Sequence, residues 1–321
     1  MNKLSLIKNP ELFQGNKYLN QNKKYFEGWY FKNTGINNGI SFIPGINIDG
    51  TNKKAFIQAI TNNSSYFIDY DINDFSFSEN PFYIKIQNNI FSKENIHIDI
   101  IDEKQKLKIN GDIKYSNSKN INVNILNPNI MGPFSYIPFM ECNHAILSMK
   151  NTIVGEIKIN ENIINLDGGN GYIEKDWGFS FPKTYIWCQG NNFQSQNASF
   201  LLAIANIPFK IFEFKGIICD FIIGDKEFKF TTYNKTRLIN CVANEKLLNI
   251  TLKKENYYLN VRSVYEKGLK LAAPIKGEMK KDIFESISAT MTITLKKKDK
   301  IIFLDTSTNC GMEIVKNGNG N

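Results

Sequence analysis

The residues best suited to acid–base chemistry are two carboxylates, Glu174 and Asp176, and one of only two histidines, His144. Glu174 and Asp176 alternate in the segment GYIEKDWG, so in an extended strand both side chains point to the same face. Two carboxylates on one face can raise the pKa of one of them, as a general acid near neutral pH requires. His144 suits a general base or a hydrogen-bond partner.

Each of these residues also has a structural interpretation. Asp176 precedes a glycine-containing turn, where an aspartate often caps the turn or pairs with a lysine. Glu174 would then belong to an exposed strand pair, and His144 would be a half-buried histidine with its hydrogen bonds satisfied.

Two aromatic segments offer candidate binding residues. In YFEGWYFK, Glu27 and Trp29 share one strand face, and Tyr30 and Lys32 share the other. One set is expected to point into a barrel or its interface, either to bind a ligand or to close the barrel with aromatic rings. In YIWCQGNNF, Trp187, Gln189 and Asn191 share one face. They would orient a polar aromatic ligand by hydrogen bonds, hold the strand through an amide network, or do both.

Composition and motifs exclude several classes of protein. The five cysteines lie far apart without a C-x-x-C pair, which excludes a zinc ribbon, a thioredoxin motif and a dense disulfide framework. Two histidines that lie far apart in the sequence do not indicate a metal site. The sequence also contains no glycine-rich loop of the phosphate-binding or dinucleotide-binding kind. With no apolar signal region at the N-terminus, we expect a reduced, cytoplasmic chain.

The net charge of +8 does not indicate nucleic-acid binding. The lysines are scattered along the chain, and Arg237 and Arg262 are the only arginines. Proteins that bind phosphates or base edges rely on the paired hydrogen bonds of arginine guanidinium groups. Solvated lysines on a soluble protein explain the charge.

Short runs rich in Ile, Phe, Tyr and Val recur throughout the 321 residues, separated by Asn, Gly, Asp or Lys turns. Such spacing predicts an all-β protein of sandwiches or closed antiparallel barrels, with very little helix. The helical candidates are Lys281–Ser288 and Pro10–Leu12. The interruption around DWGFSFPK predicts a domain boundary, with an N-terminal barrel over 1–178 and a C-terminal barrel over 179–321.

Several motifs, in order, carry a resemblance to a known family. They are EGWYFK near the start, then Y-x-E-K-D-W-G-x-x-F-P, then W-x-Q-x-N-x-F. With the segments 131–149 and 271–289, they resemble the tocopherol cyclase family, from about Tyr25 to Glu313. That family looks related to carotenoid hydratase-like proteins, so the resemblance implies two lipocalin-like antiparallel β-barrels packed together.

The resemblance also implies an activity. Enzymes of the family close a prenylated hydroquinone into a chromanol ring, without a cofactor because the reaction is redox-neutral. An acid protonates the alkene, aromatic rings shield the cation, and a base takes the phenolic proton. Asp176, or less favourably Glu174, would be the neutral acid, His144 the base, and Trp29, Trp177 or Trp187 the shield.

The expected partner is a hydrophobic small molecule, namely a prenylated quinol, an isoprenoid or a lipid, fetched by peripheral contact with a membrane. The loop Met131–Phe139 would cover the cavity mouth, with His144 on the cavity wall. A non-catalytic barrel that binds a lipid or isoprenoid is the alternative. The candidate substrate-binding residues are Glu27, Trp29, Tyr30, Lys32, Asn143, Tyr172, Trp177, Trp187, Gln189 and Asn191.

Overall fold

The computed structural model of the chain describes residues 3–21, 23–138, 140–195, 197–209, 212–244, 246–266 and 268–316. These residues form an all-β structure with two large antiparallel sheets, which confirms the predicted class. The helices are α1 (Lys3–Lys8) and α2 (Asn16–Leu19), with single 3-10 turns at Ile72–Asp74, Gly132–Tyr136 and Thr232–Asn234. No helix in these ranges is long and apolar enough to span a membrane.

The first sheet contains the strands from the first half of the chain. They are β1 (Tyr25–Thr34), β2 (Gly39–Asp49), β3 (Asn52–Thr61), β4 (Ser65–Asp71), β5 (Phe75–Glu79), β6 (Phe82–Ile86), β7 (Asn89–Phe91), β8 (Asn95–Asp102), β9 (Leu107–Lys119), β10 (Cys142–Ile159), β11 (Asn162–Asn165) and β12 (Gly169–Gly178). The order across the sheet is β4-β3-β2-β1-β12-β10-β9-β8-β7-β6-β5, and β11 pairs with β10. The late strand β12 therefore lies between β1 and β10.

The second sheet is built from the later strands. They are β13 (Tyr185–Gly190), β14 (Ala198–Phe209), β15 (Phe212–Ile223), β16 (Lys226–Lys229), β17 (Arg237–Ala243), β18 (Leu247–Lys254), β19 (Tyr257–Val264), β20 (Leu269–Ile275), β21 (Glu278–Lys297) and β22 (Lys300–Val315). The order is β16-β15-β14-β13-β22-β21-β19-β18-β17, and β20 pairs with β21. Across the described residues both sheets end in edge strands, so the closed barrels expected from the sequence are not formed.

The chain divides into two compact units. One contains Met1–Phe181 with Leu271–Asp282, and the other contains Pro182–Lys270 with Ile283–Asn321. The domain boundary predicted at residue 178 stays a prediction, because it concerns domains that fold independently. Each unit has its own apolar core, because alternate residues of its strands point inward.

A hairpin from late in the chain, made by the end of β20 and the start of β21, belongs to the first unit. The Gln58 side chain accepts a hydrogen bond from the Ala272 backbone N–H at 2.8 Å and donates one to the Ala272 carbonyl at 3.0 Å. The N–H of Gly277 donates to the Phe179 carbonyl at 2.8 Å. These bonds fasten the hairpin to β3 and to the segment after β12.

Both helix predictions were wrong. Lys281–Ser288 lies inside β21, where Ile283, Glu285 and Ile287 are buried and Asp282, Phe284 and Ser288 are exposed; Ser286 alone departs from the alternation and is also buried. The pattern has the two-residue period of a strand, which a glutamate at an inward position concealed. Pro10–Leu12 is a turn between the two short helices.

Candidate active site

Strand β12 separates two chemical environments, because its successive side chains point to opposite faces. Tyr172, Glu174 and Asp176 lie on one face, and Lys175 and Trp177 lie on the other. The neighbouring strands add to the first face by register. His144 of β10 lies opposite Asp176, Tyr30 of β1 opposite Glu174, and Lys32 opposite Tyr172.

A histidine between two carboxylates forms the centre of this face. His144 Nδ1 is 2.8 Å from Asp176 Oδ1, and His144 Nε2 is 3.6 Å from Glu174 Oε2. The Tyr172 hydroxyl donates to Glu174 Oε2. The side chains of His144, Glu174 and Asp176 are 13%, 6% and 20% exposed, so the cluster is largely shielded from water yet reachable. We refer to His144, Tyr172, Glu174 and Asp176 together as the histidine cluster.

Electrostatics keep a proton in the histidine cluster. Burial lowers the pKa of His144, but the negative charges of Asp176 and Glu174 and the hydrogen bond to Asp176 outweigh burial and raise it to about 9. Burial, then the charge of Glu174, raise the pKa of Tyr172 well above its usual value. At neutral pH the cluster therefore contains an imidazolium and a neutral phenol.

Neighbouring groups define the rest of this face. The Cys142 Sγ lies 4.0 Å from Asp176 Oδ1, and burial followed by the charge of Asp176 raises the pKa of this thiol, so it is not a thiolate nucleophile. Tyr30 accepts a hydrogen bond from Ser41 Oγ at 3.1 Å, and its ring centre is 6.4 Å from that of Tyr172. The buried Lys32 donates to Thr34 Oγ1 at 2.9 Å.

The predicted lid loop contacts the start of β10. The backbone N–H of His144 points at Met131 Sδ, 3.1 Å away, and Gly132–Tyr136 forms a 3-10 turn. Strand β10 then shifts its register against β12 twice between Ile146 and Asn151, an irregularity of the kind common near active sites. Phe139, the end of the predicted lid, lies outside the described residues, and the covering role stays a prediction.

The opposite face of β12 holds a structural ion pair. Lys175 Nζ is 2.5 Å from Glu27 Oε1, and both side chains are fully buried. Lys175 also donates to the carbonyls of Pro10 and Leu12 at 2.8 and 2.6 Å. Its ammonium lies 4.8 Å from the ring centre of Trp29 and also 4.8 Å from that of Trp177.

Glu27, Trp29 and Trp177 lie on the core face with Lys175, opposite the face of Glu174 and Asp176. Their predicted roles in binding a substrate and shielding a cation stay predictions. Strand alternation alone separates Trp177 from Asp176. Asn143 serves the backbone, donating from Nδ2 to the Trp177 carbonyl at 3.3 Å.

The remaining candidates lie in the second unit. Trp187 and Gln189 are buried on one face of β13, and Asn191 is buried just after this strand. Tyr185, on the same face, donates its hydroxyl to Glu313 Oε2 at 2.6 Å. Asp220 of β15 is a buried acid that the sequence analysis overlooked; its signal is a lone carboxylate inside the apolar run GIICDFII.

The histidine cluster could also hold a cation. His144, Glu174 and Asp176 each offer one ligand atom, and these atoms lie within 4.8 Å of one another. The 2.8 Å separation of Nδ1 and Oδ1 is, however, the length of a direct hydrogen bond. In this arrangement His144 and Asp176 share a hydrogen bond, and the absence of a metal stays a prediction.

Three solved structures share the fold at low sequence identity. The structure of CghA aligns with a TM-score of 0.55 at 7% identity, covering 92% of this chain and 90% of that one. Kievitone hydratase from Nectria haematococca aligns with a TM-score of 0.51 at 12% identity, covering 91% of this chain and 89% of that one. An AttH-type protein from Nitrosomonas europaea aligns with a TM-score of 0.54 at 9% identity, covering 95% of this chain and 97% of that one. Comparison with curated proteins gave no significant match.

The distant structures show only the fold, whereas a family model shows the family. The model described as tocopherol cyclase-like matches residues 122–316, which include β10, β12 and the whole second sheet. His144, Tyr172, Glu174 and Asp176 all fall inside the matched range. The chain belongs to the tocopherol cyclase-like family.

Proposed function

We propose that this protein is a cofactor-independent enzyme that closes a prenylated hydroquinone, or a similar isoprenoid-bearing phenol, into a chromanol-type ring. The observation that carries the proposal is the imidazole of His144 held between Asp176 and Glu174, with its pKa raised to about 9. Family membership supports an enzyme acting on a small molecule.

The first step is protonation of the tail alkene. A neutral carboxylic acid is a far stronger acid than an imidazolium, and an unactivated alkene needs the stronger one. Transfer of the Nδ1 proton of His144 to Asp176, across 2.8 Å, converts the stored proton into that form. Asp176 is the donor because it is the more exposed carboxylate, and His144 replenishes it.

The second step is ring closure. The phenol oxygen forms a bond to the tertiary carbon of the cation and loses its proton to the site. The Asp176 carboxylate left by the first step accepts this proton and returns it to His144 Nδ1, the nitrogen that gave up its proton, 2.8 Å away. Glu174, 3.6 Å from His144 Nε2, stabilises the imidazolium that re-forms. The proton given to the alkene equals the proton recovered from the phenol, so the reaction is an isomerisation and the site is restored. Hydration of an alkene begins with the same protonation, and a kievitone hydratase shares this fold.

Aromatic rings on the same face stabilise the cation. Tyr30 and Tyr172, with ring centres 6.4 Å apart, take the role that the sequence analysis gave to Trp29 and Trp177. The phenol of Tyr172 stays neutral because of burial and Glu174, so it does not quench the cation as a phenolate.

The test is Asp176→Asn, which keeps the shape but cannot deliver a proton. General acid catalysis contributes about 10²–10⁴-fold, so turnover of a prenylated hydroquinone should fall at least about 100-fold, while binding changes only a few-fold. The matched control is Asp112→Asn, because Asp112 also lies 2.8 Å from a histidine Nδ1, that of His97, but at an exposed site.

Turnover is measured by chromatography of the ring-closed product, on hydroquinones of increasing tail length, before and after dialysis against a chelator. Unchanged turnover in Asp176→Asn removes Asp176 from the mechanism, and loss on dialysis argues for a metal. Tight binding without turnover by the wild type favours the lipid-binding alternative.

A further inference from the structure

The second sheet has a polar buried face opposite its apolar core. Cys188, Leu202 and Cys219 pair across β13, β14 and β15 and belong to the core. The next residues along these strands point the other way. There Gln189 of β13 lies opposite Leu201 of β14, and Leu201 lies opposite Asp220 of β15.

Two neutral side chains on this face are buried without hydrogen bonds. Gln189 is 0% exposed and Ser199 is 1% exposed. Neither amide atom of Gln189, nor the hydroxyl of Ser199, has a hydrogen-bond partner among the described residues. Buried polar groups are almost always hydrogen-bonded, and an unpaired one destabilises the fold. Such a cost is accepted at binding sites, where the ligand supplies the missing partner.

Asp220 extends this row as a neutral carboxylic acid. It is 0% exposed, and burial, followed by the charge of Glu227, raises its pKa well above the usual range against the opposing effect of Lys229. Lys229 Nζ lies nearer to Glu227, at 3.2 Å, than to Asp220 Oδ2, at 3.8 Å. The charge of Asp220 also acts on the pKa values of Tyr233 and Cys219. The row therefore presents an amide, a hydroxyl and a carboxyl group around the apolar side chain of Leu201.

We propose that Gln189, Ser199 and Asp220 form a binding site for the uncharged hydroxyl or carbonyl group of an otherwise apolar molecule. All three groups can donate and accept hydrogen bonds, which is what a hydroxyl requires. An anionic group is disfavoured, because Lys229 lies closest to Glu227 and the row itself carries no positive charge. The proposal concerns binding only and does not rest on the ring-closing reaction.

The test compares two probes of similar shape, 4-hexylphenol and 4-hexylbenzoate, by calorimetric titration of the full chain at neutral pH. The wild type should bind the phenol at least about 10-fold more tightly than the benzoate, since burying an unpaired charge is costly. Gln189→Leu should weaken phenol binding about 10-fold and Ser199→Ala about 3-fold. Asp220→Asn, which keeps a neutral donor and acceptor, should change it less than about 3-fold.

Stability supplies a second readout that separates binding from a structural role. Because Gln189→Leu removes two unpaired buried polar atoms, it should raise the thermal midpoint of the unliganded protein while it weakens phenol binding. Gln105→Leu, at an exposed position, is the control and should do neither. Lower stability in Gln189→Leu, unchanged phenol affinity in Gln189→Leu and Ser199→Ala, or equal affinity for the two probes would each overturn the proposal.

Discussion

The two faces of β12 carry two ionic clusters that differ in how fully their groups are bonded. On the core face, Lys175 is paired with Glu27, donates to two carbonyls and lies against two indole rings, with no exposed surface. On the other face, His144 bonds Asp176 through Nδ1, while its Nε2 makes no hydrogen bond with a described residue. We expect the fully bonded cluster to serve the fold and the incompletely bonded one to contact the proposed substrate.

The largest expected effect is on the core face. Lys175→Met leaves Glu27 buried without its cation, which typically costs about 3–5 kcal/mol of the free energy of unfolding. Urea unfolding measures this loss, with Lys114→Met at an exposed position as the control. The double variant Lys175→Met/Glu27→Gln should recover part of the loss because no unpaired charge remains. A loss below about 1 kcal/mol in the single variant would contradict a structural role for the pair.

The next effect is the pH dependence that His144 confers. Its folded-state pKa of about 9 exceeds the unfolded value of 6.5, so its stabilising contribution is complete below pH 6.5 and is lost as the pH rises towards 9. The shift corresponds to roughly 3 kcal/mol. The difference in unfolding free energy between the wild type and His144→Asn should therefore be larger at pH 6 than at pH 9.5 by about that amount. A difference that is constant across this range would show that the ring is not held as an imidazolium.

The smallest effect tests whether the faces are chemically separate. Trp29→Phe removes the 2.9 Å hydrogen bond from the indole Nε1 to the Glu11 carbonyl and should destabilise the protein by about 1–2 kcal/mol. Turnover should stay within about twofold, whereas Tyr172→Leu, which removes an aromatic ring from the other face, should lower turnover. If Trp29→Phe reduces turnover as strongly as Tyr172→Leu does, the separation of the two faces is wrong.

Strand alternation made much of this site predictable from sequence. The two-residue period placed Glu174 with Asp176 and separated Glu27 from Tyr30 without any knowledge of the fold. The register between strands could not be read in the same way. That His144 lies opposite Asp176 depends on β12 inserting between β1 and β10, a pairing of segments distant in sequence. The same alternation argued against Trp177 as a partner of Asp176, but the motif containing both residues favoured grouping them.

Buried polar residues caused the other errors. Glu285 at an inward position of β21 made a strand look like a helix. Lys175, which the sequence did not mark as special, is buried and donates to two carbonyls of the N-terminal segment. A lysine or glutamate normally marks an exposed position, so sequence patterns misread sites where a buried charge is paired. The open edges of the sheets depend on strand pairing, which short-range patterns do not encode.

The hairpin at Leu271–Asp282 also affects the order of events during synthesis. All the strands of the first sheet have been translated by Gly178, yet the hairpin that bonds to Gln58 and Phe179 is made only after most of the second unit has left the ribosome. At about 5–20 residues per second, the first unit stays incomplete for roughly 5–20 seconds. The nascent first sheet is therefore exposed to chaperones and proteases for this interval, and truncation before residue 271 would make that exposure permanent.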